Sequence, residues 1–200
     1  MLSIKERQEH LKYLGFYNGK IDKVEGAKTR EAYKRLQSKY FTRKKDIDGL
    51  YGTNTERLLI SAYRVKKHTK NFKLEEFKCE CGGKWCTGYP DTLKVDLLKN
   101  LQKLRNKYGS LTITSGLRCT TYNSNIGGIR GSKHTQGKAC DWYTSYTTKS
   151  FANRKKVIDW YIKNCSSVNY SYCDGYGRTK WRKEYPSVSS MYKSIHVDIK

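Results

Sequence analysis

A pattern repeated within the first third of the chain constrains its fold more than any other feature. Ile21-Asp22-x-x-x-Gly26-x-x-Thr29 recurs 26 residues later as Ile47-Asp48-x-x-x-Gly52-x-x-Thr55. Helical signals surround both copies. Ile4, Leu11 and Leu14 fall on one helical stripe that Gly15 ends. Thr29 is placed to cap a helix through Ala32, Tyr33 and Leu36, with Glu31 in its first turn. Thr55 is placed to cap another through Leu58, Leu59 and Ala62. The Asp-to-Gly segments read as tight turns. Residues 1–65 therefore read as a three-helix bundle. Residues 66–76, KKHTKNFKLEE, are polar and charged and read as a linker.

The remainder, 77–200, mixes periods. Leu93, Val95, Leu97, Leu98, Leu101 and Leu104 predict an amphipathic helix over 91–107. Phe151, Val157, Ile158, Tyr161 and Ile162 predict another over 151–163. LTITSG (111–116) and the 195–199 end have strand composition. Helices beside short strands predict an α+β fold, with a short antiparallel sheet flanked by helices.

The bundle segment resembles a known family. The run Gln8…Leu11…Leu14-Gly15-Phe16-Tyr17-x-Gly19-x-Ile21-Asp22…Gly26…Thr29…Ala32…Leu36-Gln37…Asp48-Gly49…Gly52…Thr55 is similar to peptidoglycan-binding domain 1. The similarity covers nearly the whole segment and implies a wall-binding module. It departs at Lys23, where the family usually has Gly, and at Leu36, where it prefers an aromatic residue.

Two strings in the second part carry chemistry: SKHTQGKACDWY (132–143) and SIHVDIK (194–200). Two of the chain's four histidines lie in them. His134, Asp141 and His196 would give Zn²⁺ two imidazoles and one carboxylate, with the fourth position open for water. That is the ligand pattern of catalytic zinc, as opposed to the closed four-ligand structural one. Around them stands Ser115-Gly-Leu-Arg118…Tyr122-Asn123…Gly127-Gly128…Ser132-x-His134-x-x-Gly137-x-Ala139-x-Asp141…His196. This order and spacing resembles the zinc D-Ala-D-Ala carboxypeptidase-like peptidases. The resemblance implies His134, Asp141 and His196 as zinc ligands. It also implies that Arg118 binds a substrate carboxylate or polarises the scissile carbonyl, with Ser132 beside it as a substrate-binding residue. An arginine fork suits a carboxylate because it pairs bidentately.

One part of that pattern is missing. Related branches place a catalytic Glu, Asp or His two or three residues before the last zinc histidine. Here Lys193 and Ser194 stand there. Asp198 lies two residues after His196, so on a strand it shares that face. It is the candidate for acid/base work or for orienting the ligand.

The chain has seven cysteines, an odd number that cannot be a complete disulfide framework. Cys79, Cys81 and Cys86, with Gly82 and Gly83, can form part of a structural zinc site. They lack paired CxxC knuckles and a nearby histidine, so they read as small buried thiols. Cys119 and Cys140 adjoin proposed site residues, whose side chains on a strand point the other way, and are not counted as ligands.

The net charge is +23, with both parts basic: 16 Lys/Arg against 8 Asp/Glu in 1–66, and 25 against 10 in 67–200. A large polyanion is the expected partner: nucleic acid, an anionic membrane face or the bacterial wall. No helix-turn-helix or RNA-binding signature is present, which argues against nucleic acid. No apolar run approaches the ~20 residues of a membrane span. The first residues lack the apolar stretch of a signal peptide, so synthesis in a host cytoplasm and release by another agent are expected. The two resemblances together predict a monomeric bacteriophage endolysin that hydrolyses peptide bonds of bacterial peptidoglycan. The alternative is a non-catalytic zinc-containing wall-binding protein.

Overall fold

Helix α1 (Ile4–Leu14) starts on a capping box. Ser3 Oγ accepts from the Glu6 amide, and Glu6 Oε2 accepts from the Ser3 amide at 2.8 Å. It stops at Gly15, whose φ of 90° turns the chain into the left-handed region. Helices α2 (Ala27–Tyr40) and α3 (Thr53–His68) follow, and the three pack through Leu11, Ala32, Tyr33, Leu36, Leu58, Leu59 and Ala62. The computed structural model describes residues 1–184 and 191–200.

The internal repeat has a clear physical basis. Gln8 and Gln37 are both fully buried. Gln8 Nε2 donates to Asp22 Oδ1 (2.6 Å), the Val24 carbonyl (3.0 Å) and Thr29 Oγ1 (3.1 Å). Gln37 Nε2 does the same with Asp48 Oδ1 (2.9 Å), the Leu50 carbonyl (3.1 Å) and Thr55 Oγ1 (2.9 Å). Each amide oxygen accepts a backbone N–H, from Lys23 (3.0 Å) or from Gly49 (2.8 Å). A buried amide must be satisfied, so the Gln, Asp and Thr of each copy form one unit. This corrects the capping roles expected for the threonines. Gly26 and Gly52 hold the N-cap positions, and Thr29 and Thr55 lie in the first turns. Their hydroxyls donate back to the Val24 and Leu50 carbonyls.

Residues 66–76 are not an open spacer. Helix α3 continues to His68, and Phe72 and Leu74 are buried ahead of a 3₁₀ turn, Leu74–Phe77. Helix α3 also meets the second part of the chain directly. Ser61 Oγ accepts from the Leu93 amide (3.1 Å), and Arg64 Nη1 donates to the Leu93 carbonyl (2.9 Å). One continuous apolar core runs from the first helices into the sheet.

Among the described residues, the rest holds helix α4 (Val95–Tyr108), a short α5 (Thr120–Asn125), α6 (Phe151–Asn164) and six strands. The strands are β1 (Thr112–Ser115), β2 (Ala139–Tyr143), β3 (Val168–Cys173), β4 (Tyr176–Thr179), the two-residue β5 (Lys183–Glu184) and β6 (Ile195–Ile199). They form one antiparallel sheet in the order β1-β2-β6-β3-β4-β5. The fold is therefore mixed α+β. Strand alternation divides the residues of β2 and β6. Cys140, Trp142, Ile195, Val197 and Ile199 enter the common core with Val157, Ile158 and Tyr161 of α6. Asp141, His196 and Asp198 alternate with them and point to the other face.

Candidate metal centre and active site

Register brings the site together. Ser115 of β1 pairs with Asp141 of β2, Asp141 with His196 of β6, and His196 with Tyr172 of β3. These four side chains form a row across the sheet. His134 reaches the row from a 3₁₀ turn, Lys133–Gln136, between α5 and β2. Gly137 ends that turn in the left-handed region, with φ 65°, and has no room for a Cβ. An added one would lie 2.1 Å from the Thr92 carbonyl oxygen.

The three expected metal ligands converge. His196 Nδ1 lies 2.7 Å from Asp141 Oδ1, and His134 Nε2 lies 3.3 Å from both that oxygen and His196 Nδ1. All three residues are buried. Ligands held about 2.0–2.1 Å from a tetrahedral zinc ion stand about 3.3–3.4 Å apart. Two edges of this triangle match, and the third is a hydrogen bond that ligation would lengthen. The residues fit zinc.

The outer contacts fix which atoms face inward. His134 Nδ1 donates to the Gly116 carbonyl (2.7 Å), leaving Nε2 for the cluster. His196 Nε2 donates to Asp198 Oδ2 (3.3 Å), leaving Nδ1. Such partners set ring orientation and tautomer. Asp198 is itself held by Asn169 Nδ2 (3.0 Å) and the Tyr170 amide (2.7 Å). It therefore stands behind His196, on the side of the ring away from the cluster. Of the two roles expected for Asp198, the geometry fits orientation.

Electrostatics follow. Burial alone would raise the Asp141 pKa, but His134 and His196 beside it hold the carboxyl well below the usual range. Burial alone would lower the His196 pKa. Hydrogen bonds to Asp141 and Asp198 outweigh it and push the value up to about 9.

Arg118 follows β1. Its Nε donates to Ser115 Oγ (2.8 Å), and its Nη2 donates to Asp141 Oδ2 (2.7 Å). The guanidinium so grips the second oxygen of the proposed ligand. The same side chain lines a cleft of about 430 Å³ with Arg43, Arg57, Asp91 and Thr135. Ser132 is buried at the start of the 3₁₀ turn, where its carbonyl accepts from the Thr135 amide and hydroxyl. Ser194 Oγ shares a hydrogen bond with Thr114 Oγ1 (3.2 Å), and Lys193 is exposed.

Sequence reasoning missed Tyr172. Its ring stacks on His196 with centroids 4.6 Å apart, and burial pushes its phenol pKa up to about 12. Among 17 tyrosines nothing distinguishes it. The register of β3 against β6 was the signal, and no strand was expected at 168–173. Sequence reasoning also set Cys119 aside. Cys119 is the N-cap of α5 and not a strand residue, and its thiol joins those of Cys79, Cys81 and Cys86.

Residues 70–163 match the family model described as Peptidase M15. The match includes Arg118, His134 and Asp141. The chain is 30% identical over 128 residues to the zinc D-Ala-D-Ala carboxypeptidase of Streptomyces albus G, covering 60% of this chain and 49% of that protein. It is 38% identical over 78 residues to a spore cortex-lytic enzyme of Bacillus cereus, covering 39% and 29%. A spore cortex-lytic enzyme of Oceanobacillus iheyensis is 44% identical over 62 residues, covering 31% and 21%. The chain thus spans less than half the length of these relatives.

Proposed function

We propose, from the Peptidase M15 match and the buried His134–Asp141–His196 cluster, that the protein is a zinc peptidase acting on bacterial peptidoglycan. The cluster is the observation that carries this reading. Three ligand atoms converge within tetrahedral reach, and the second contact of each histidine turns the correct nitrogen inward. Zinc bound there would supply Lewis-acid activation of water and of the scissile carbonyl. Arg118 holds Asp141 in place and has further N–H groups to offer a substrate carbonyl or carboxylate from the cleft. Asp198 keeps His196 in the ligating tautomer. Tyr172 sits against His196 with its proton retained at neutral pH, as a hydrogen-bond donor to the reacting carbonyl requires.

The first helices suggest how the enzyme finds its substrate. The paired Gln–Asp–Thr units lie on the residues that resemble peptidoglycan-binding domain 1. A wall-binding module tethered to a wall peptidase raises the local concentration of enzyme on an insoluble substrate. Such a combination of parts suits a bacteriophage endolysin, with a separate pore giving access to the wall. The charge of +23 suits an anionic wall.

The test is digestion of purified wall sacculi with mass spectrometry of the fragments. New free amines at a stem or cross-link peptide bond are expected, lost with a chelator and restored by zinc. A second reading, a zinc-containing wall binder without activity, is favoured by one observation. The positions before His196 hold no acid, and Ser194 is engaged with Thr114. Sacculi that bind the zinc-loaded protein yet gain no amines would favour this second reading.

A further inference from the structure

We propose that Cys79, Cys81, Cys86 and Cys119 hold a second zinc ion, structural in role and independent of the His134–Asp141–His196 centre. The four Sγ atoms all lie within 4.8 Å of one another, and Cys81 and Cys86 are 3.4 Å apart. Thiolates about 2.3 Å from a tetrahedral zinc ion stand about 3.8 Å apart. The observed spacings bracket that value.

Three further observations point to a ligand. First, three of the sulfurs accept backbone N–H groups: Cys79 from Cys119 (3.3 Å), Cys86 from Gly88 (3.4 Å) and Cys119 from Tyr122 (3.4 Å). A neutral thiol is a weak acceptor, so this pattern suits thiolates stabilised by a cation. Second, the loop that carries Cys79, Cys81 and Cys86 has no helix or strand, yet it buries two of those cysteines. Gly82, Gly83 and Gly88 all have positive φ, which wraps the backbone tightly around the sulfurs. Third, among the described residues Cys79, Cys81 and Cys119 form a cluster apart from the main core, with Cys86 and Tyr122 packed against it. The loop is anchored at its ends by the buried Phe77 and Tyr89, and between them the sulfurs themselves are what converge, as ligands to one metal would.

A closed set of four thiolates has no position for water, which separates this site in kind from the three-ligand centre. Soft sulfur ligands in tetrahedral array select zinc or iron, and the ion assigned to this cluster is zinc. The consequence lies in Cys119. It follows Arg118 and caps α5, so ligation ties residues 79–86 to the backbone that presents Arg118 to Asp141.

The test is the metal content of the full chain, purified under reducing conditions with zinc in the medium. About two zinc ions per chain are expected in the wild type, and about one in His134→Ala/His196→Ala. Cys79→Ser/Cys119→Ser should also carry about one, if it folds. The decisive arm does not depend on that folding. His134→Ala/His196→Ala protein exchanged into cobalt should show strong thiolate-to-metal charge-transfer absorption. A mercurial reagent that consumes its four clustered thiols should release its remaining zinc. Several results would overturn the proposal: a metal-free double variant, cobalt without thiolate absorption, iron in the cluster, or a native mass showing the cysteines joined as disulfides. None of these bears on whether the other centre cleaves peptidoglycan, since the double variant has lost that centre.

Discussion

His196 shows what metal binding costs in protons. Its Nδ1 is turned toward Asp141 and His134, and its raised pKa of about 9 means that a proton sits there at neutral pH in the metal-free protein. Zinc needs that lone pair. Uptake should therefore release a proton, and apparent zinc affinity should fall about tenfold per pH unit below about 9. Isothermal titration in buffers of different ionisation enthalpy measures this, and proton-independent binding between pH 6 and 8 would refute it. The sign for stability is the reverse of a carboxylate's. The folded pKa of His196 exceeds its unfolded value of about 6.5. Its contribution is fully present below that value and lost as pH rises through about 9. Chelated protein should therefore lose melting temperature between pH 7 and pH 10, while zinc-loaded protein should not. Asp198→Asn removes the acceptor behind the ring. Zinc affinity should drop about 10–100-fold, with excess zinc restoring the rate. A rate deficit that persists at saturating zinc would assign Asp198 to acid/base chemistry instead. Arg118→Lys keeps the charge but loses the fork between Ser115, Asp141 and the cleft. A fall in kcat/KM of about tenfold or more is expected, and an unchanged rate on sacculi would remove Arg118 from the site.

Elements were legible where local chemistry decides them. The stripe of α1 with its Gly15 stop, the leucines of α4, and strands β1 and β6 can all be read from periodicity and turn residues. The buried His134–Asp141–His196 cluster was legible because its three residues fall in two short strings. What escaped depends on register or on long-range packing. Tyr172 becomes informative only when β3 is laid against β6, and Cys119 only when α5 is docked on the 79–88 loop. The threonine caps were misplaced because a Thr near a helix start fits two roles, and the buried glutamines, far away in sequence, decide between them. The same networks show what the departure at Lys23 costs. Lys23 has φ 64° and Gly49, its counterpart, φ 72°, since each must turn its N–H to a glutamine oxygen. A side chain in that region is strained by about 1–2 kcal/mol. Lys23→Gly should thus stabilise the protein by about 0.5–1 kcal/mol, part of the strain being offset by the freer unfolded chain. Gly49→Ala should destabilise it, with its Cβ 3.2 Å from the Arg30 carbonyl oxygen. Equilibrium denaturation of both variants checks the pair, and a destabilised Lys23→Gly would refute the strain argument.

At the scale of the molecule, composition misled in one place. KKHTKNFKLEE looks like a solvated spacer because nine of its eleven residues are polar. Its two apolar residues, Phe72 and Leu74, are the ones buried, and two residues are too few to set a period. Upstream, α3 presents Ser61 and Arg64 to the backbone of Leu93 just before α4, and the apolar core is continuous across this junction. Two units joined by a free linker would unfold separately. Two units that share a core lose each other's burial on separation, and so unfold together. The full chain should accordingly show one calorimetric transition, with calorimetric and van't Hoff enthalpies near equal. Residues 77–200 alone lose α3 and the Phe72–Leu74 contact, and should melt lower than the full chain while still taking up zinc. Their rate on a soluble muropeptide should then fall at elevated temperature, in step with that melting. Below the melting range, only the rate on whole sacculi should fall, because the wall-binding role proposed for α1–α3 serves only that substrate. Two well-separated transitions in the full chain, with the upper one matching the isolated 77–200, would mean that the α3 junction adds no stability and that the two units are energetically independent.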